Sequence, residues 1–131
     1  MSATVLDPHV QFSALRDPRY PVHKIADQLE PYLRVIVERC RPEKIILFGS
    51  QAYGQPDEHS DVDLLVVRKG IASERESIRE IRRAFREVPD RRRDLAFTIL
   101  SKTPERIENR LHVKSPFYED IVGQGLIVYA A

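Results

Sequence analysis

The stretch 48–67 reads FGSQAYGQPDEHSDVDLLVV, and in it a Gly-Ser pair, Gly49 and Ser50, is followed after ten residues by two aspartates one residue apart, Asp61 and Asp63. Glycine lets a backbone come close to a phosphate. A serine hydroxyl, together with the N–H groups of a helical turn over Ser50 to Tyr53 ended by Gly54, can donate to phosphate oxygens. Two carboxylates on alternate residues of a strand point the same way, about 6–7 Å apart. Such a pair can hold divalent cations that clamp the attacking and leaving oxygens of an in-line displacement. This is the equipment of a metal-dependent phosphoryl or nucleotidyl transfer. Asp94 offers a third carboxylate: in the run 91–99, Leu95, Phe97 and Ile99 alternate with Asp94, Ala96 and Thr98. If that strand lies beside the Asp61 strand the three carboxylates converge, and such a cluster binds metal or raises a pKa.

The elements that must position these residues are legible as periodicities. Lys44 to Phe48 is short, β-branched and halted by a glycine, as expected of a buried strand. Asp61 to Val67 is a second strand, with Val62, Leu64 and Val66 opposite the aspartates. Ile25, Leu29, Leu33, Ile36 and Cys40 form a helical stripe, kinked or restarted at Pro31 and ended by Arg41-Pro42. Ser73-x-x-Glu76 reads as a capping box for a helix burying Ile78, Ile81, Phe85 and Val88. Thr103-Pro104 and Ser115-Pro116 open two more helices, the first with Ile107 and Leu111 inward and the second carrying Phe117 and Ile121 to a stop near Gly123 or Gly125. Leu126 to Tyr129 adds an edge strand. Residues 1–21, with Asp7-Pro8, Asp17-Pro18 and Pro21, read as an extended N-terminal arm, and residues 22–131 as one domain. The fold class is α+β, a small mixed sheet flanked by helices.

The Gly49-Ser50 pair, the ten-residue spacing, Asp61-x-Asp63 and the later Asp94 resemble the minimal nucleotidyltransferases of the DNA polymerase beta superfamily. The resemblance spans about Ile25 to Tyr129, and Gln51 and Tyr53 stand where many members carry arginine. It implies an αβαβαβ core and two Mg²⁺ ions on Asp61, Asp63 and Asp94, with Gly49 and Ser50 cradling the β- and γ-phosphates of ATP. The implied reaction moves AMP to a hydroxyl. Small single-domain members resemble antitoxins that adenylylate a helical HEPN toxin, so a HEPN-type protein is the expected partner and acceptor. A stand-alone transferase for a small hydroxyl compound of the aminoglycoside kind, or a non-catalytic toxin-binding module on the same fold, are the alternatives.

Composition sets the bounds. The 131 residues suffice for one domain with its own core, and 42% are hydrophobic. Twenty-one basic against twenty acidic residues give a net charge of +1, so no global field points to nucleic acid or membrane. Between Glu74 and Arg93, however, eight arginines face five acids. A solvated face laced by Glu80–Arg83 and Arg83–Glu87 pairs is the expected reading, ahead of a partner or nucleic-acid surface. The lone Cys40 suits a small core residue and a reducing cytoplasm, and no apolar run or leader suggests a membrane or export. His9, His23, His59 and His112 share no ligand spacing, though His59 stands two residues before Asp61.

Overall fold

The computed structural model describes residues 12–57, 60–89 and 95–131. Its frame is a four-stranded mixed sheet in the order β3-β2-β1-β4, formed by β1 (Lys44–Phe48), β2 (Val62–Val67), β3 (Phe97–Lys102) and β4 (Leu126–Ala130). β1 runs antiparallel to both β2 and β4, while β2 and β3 are parallel. The antiparallel β1–β2 pair is joined through the short helix α2 (Ser50–Tyr53) and a polar turn. The parallel β2–β3 pair needs a crossover, and α3 (Glu74–Phe85) supplies it.

Both faces of the central strands are covered, as the unbroken apolar runs of β1 and β2 require. On one face Ile45, Leu47, Val62, Leu64, Val66 and Ile99 pack with α1 (Ala26–Cys40) and α3. Ile78, Ile81, Phe85 and Val88 all join this core, as the α3 periodicity predicts. On the other face Ile46, Phe48, Leu65 and Val67 pack under Ile107 of α4 (Pro104–His112) and Ile121 of α5 (Pro116–Gln124).

Two expectations need correction. Residues 12–21 are not an extended arm. They form a 3-10 turn at Ser13–Arg16 leading into another at Pro21–Ile25, and Phe12, Leu15 and Val22 are completely buried. Turns this short carry no periodicity, so the sequence hides that they close the core, where the Phe12 ring lies 6.3 Å from that of Tyr129. Residues 1–11 lie outside the described part. At Pro31, where the sequence allowed a kink or a restart, α1 does not restart and runs through as one helix. Proline there forfeits one helical bond, and the buried stripe Leu29, Leu33 and Ile36 on both sides outweighs it. Secondly, the expected Glu80–Arg83 and Arg83–Glu87 pairs give way to pairs across elements, Glu80 with Arg68 at 2.8 Å and Glu87, just past the helix, with Arg39 at 2.6 Å, while Glu76 and Arg79 do pair along the helix. On α5, Phe117 is 51% exposed and edges against Phe48 and Tyr118. Among the described residues no helix is long and apolar enough to cross a membrane.

Candidate active site

The site lies where β1 ends and β2 begins. The backbone at Gly49 takes φ 74° and ψ −158°, a conformation essentially reserved for glycine. A Cβ at that position would run into the Asp63 carboxylate, so the bare Cα is what lets the Gly49-Ser50 turn close over the aspartate. α2 then follows as one helical turn. Ala52 and Tyr53 donate their N–H groups to the Gly49 carbonyl, and Gly54 donates to Ser50. The preceding N–H groups, of Ser50 and Gln51, take no backbone acceptor among the described residues. They stand, with the Ser50 hydroxyl, at the start of the turn.

The approach to β2 is closed by Ser60, whose hydroxyl accepts from the Asp57 N–H at 2.8 Å. Val62 donates to the Ala96 carbonyl at 2.8 Å and locks the first residues of β2 to the entry of β3. Asp63 is paired in register with Phe48 of β1 on one side and Thr98 of β3 on the other. Asp61 is exposed just ahead of the strand, Asp63 half-buried within it. The Thr98 hydroxyl donates to Asp61 Oδ2 at 3.3 Å and lies close enough to Asp63 to favour its charged form as well. Even so, burial pushes the Asp63 carboxyl above its ordinary range, and the Asp61 charge adds to the shift. Among the described residues no lysine or arginine pairs with either aspartate, although acids elsewhere such as Glu30, Glu74, Glu80 and Glu87 all have cationic partners. Two neighbouring carboxylates with no cationic partner among the described residues form an all-oxygen donor set, which fits a hard divalent cation such as Mg²⁺.

The structure therefore brings Gly49, Ser50, Asp61 and Asp63 together. Asp94 and His59 lie outside the described residues. Ala96 and Thr98, which share the strand alternation of Asp94, do flank the aspartate pair. Thr98 is the residue that sequence reasoning passed over. Its alternation with Phe97 and Ile99 already placed it on the carboxylate face, and the β2–β3 pairing assigns it a neighbour.

The sequence of residues 32–129 matches the model of the polymerase beta nucleotidyltransferase family. The chain belongs to that family, and nucleotidyl transfer is the chemistry of its domain. No curated protein matches it in sequence. Among solved structures it is similar to a Sulfolobus solfataricus protein, itself assigned only provisionally as a nucleotidyltransferase, at 16% identity and a TM-score of 0.46 over 96% of this chain and 90% of that one.

Proposed function

We propose that the chain is a Mg²⁺-dependent nucleotidyltransferase that moves AMP from ATP to a hydroxyl on a HEPN-type toxin, acting as that toxin's antitoxin. The observation that carries the transfer reading is the Asp61–Asp63 pair, which has no lysine or arginine partner among the described residues, with Asp63 seated directly against Gly49. Asp61 and Asp63 would hold the metal, whose chemistry is to neutralise charge on the reacting phosphoryl oxygens. Gly49 gives a triphosphate access to the backbone, and the Ser50 hydroxyl with the adjoining N–H groups donates to its β- and γ-oxygens. The acceptor oxygen forms a bond to the α-phosphorus while the bond to the β-phosphate oxygen breaks and pyrophosphate leaves. Asp94 is proposed to take the proton released by the acceptor hydroxyl. The choice of ATP, of a protein acceptor and of the antitoxin role rests on the family resemblance.

The test is to incubate the protein with labelled ATP, Mg²⁺ and its co-encoded helical partner and to follow label onto that partner by mass spectrometry. Wild type should label it. Asp94→Asn should retain Mg-ATP binding but lose transfer by about 10²-fold or more, since a proton acceptor matters to the transition state rather than to the ground state. Tight binding of the partner without any label would overturn transfer in favour of a non-catalytic module. Label on an added aminoglycoside but not on the partner would replace the protein acceptor with a small molecule.

A further inference from the structure

The arginine-rich helix α3 is not the evenly mixed solvated face that its composition suggests. Most of its acids are already occupied: Glu80 and, just beyond the helix, Glu87 are held by Arg68 and Arg39, and Glu74 at the start is held by Lys102, while Glu76 pairs with Arg79. Arg75, Arg79, Arg82 and Arg86 follow one another at intervals of four, three and four, which puts them within about 60° of arc and along about 16 Å of helix. All four are exposed. Arg79 meets only the exposed Glu76, at 2.9 Å. Among the described residues Arg75, Arg82 and Arg86 have no carboxylate partner, as Arg41, Arg83 and Arg110 have none, whereas Arg16, Arg19, Arg34, Arg39, Arg68 and Arg106 all do.

The stripe also has an address. Arg82 Nη2 donates to the Phe97 carbonyl at 3.1 Å, which pins the middle of the row to the outer edge of β3. The next residue is Thr98, whose hydroxyl is on Asp61. A ligand lying along α3 thus passes beside the carboxylate pair.

We infer that this stripe binds the backbone of a single-stranded polynucleotide. The chemistry selects that partner over its competitors. Every cation in the row is a guanidinium, whose planar fork suits phosphate oxygens. The neighbouring apolar residues Ile81, Ala84 and Phe85 are buried in the core, so the face offers nothing to insert into a lipid layer or to form the apolar centre of a protein interface. Axial steps of about 4.5–6 Å between successive arginines give a row of regularly spaced contacts, suited to a ligand that repeats its charge. The binding does not depend on nucleotidyl transfer and is read without ATP.

The experiment measures fluorescence anisotropy of labelled mixed-sequence strands of about 20 nucleotides, ribo and deoxyribo, over a series of KCl concentrations. Wild type should bind with a log–log salt slope of about −2 to −3, the value for three or four phosphate contacts on a single strand. The Arg75→Gln/Arg79→Gln/Arg82→Gln/Arg86→Gln variant should bind at least about tenfold more weakly at low salt with a flatter slope, while Arg41→Gln/Arg110→Gln, which removes two positive charges elsewhere, behaves as wild type. Equal affinity for the two strands supports a backbone-only contact, and a preference for the ribo strand supports one that also reads its 2′-hydroxyls. A thermal melt of the fourfold variant matching wild type ties any loss to the surface. Binding unchanged in the fourfold variant, or absent in wild type at low salt, would overturn the inference. So would displacement of the strand by polyglutamate at equal charge concentration, which would mark a surface for acidic protein. Stripe-dependent sedimentation with anionic vesicles in the absence of strand binding would assign it to a membrane instead.

Discussion

With Asp63 half-buried beside the Asp61 charge, its carboxyl sits above the ordinary range, so proton uptake favours the fold. The stabilising contribution of that protonated form is complete below the unfolded-state pKa and is lost as pH rises through the higher folded-state pKa. At neutral pH the ionised aspartate therefore works against stability in metal-free protein. Asp63→Asn should melt above wild type in EDTA at pH 7, and the difference should vanish near ~pH 3, where both side chains are neutral. Adding Mg²⁺ should reverse the order by raising the wild-type melting temperature alone; an unchanged wild-type melt would remove the metal from Asp63. Gly49→Ala is the complementary change. It asks an L residue to adopt a glycine conformation, at about 1–3 kcal/mol, and drives a methyl into Asp63. Calorimetry should find Mg-ATP binding lost in a protein that still folds.

At the scale of elements, α3 depends on a cap as well as on its buried stripe. The Ser73 hydroxyl accepts from the Glu76 N–H at 3.0 Å, so Ser73→Ala should cost about 1 kcal/mol in urea unfolding, with the midpoint lowered and the slope unchanged. That cap was legible in Ser73-x-x-Glu76, as were the bounds of β1 and α2, because glycine punctuation and β-branched runs act locally. The alternation of β2 likewise placed Asp61 and Asp63 on one side before any neighbour was known. What stayed hidden is non-local. Whether Glu80 meets Arg83 or Arg68 depends on how α3 lies against the end of β2. The Thr98 contact with Asp61 depends on strand pairing between residues 37 apart. The packing of residues 12–21 was invisible for another reason: two brief turns bury Phe12, Leu15 and Val22 without repeating any pattern.

The molecule as a whole carries its own reporter of integrity in Cys40. Burial pushes its thiol up to about 11, with the nearby Arg68 only partly opposing the shift. At pH 8 the native protein should be inert to iodoacetamide, and labelling should track urea unfolding; rapid labelling without denaturant would mean that the end of α1 opens locally. The position of β4 has a consequence of another kind, for the order of events during synthesis. β1 is flanked by β2, which follows it closely, and by β4, whose Ile127 pairs with Ile46 from far along the chain. Until β4 has been made, a strand reading KIILF presents one edge bare, and the core lacks the buried Val128 and Tyr129. The sheet without β4 is thus the sticky form of this chain. Truncation before Leu126 should lock the protein in that aggregation-prone state, with Asp61 and Asp63 already translated but left on an unfinished sheet.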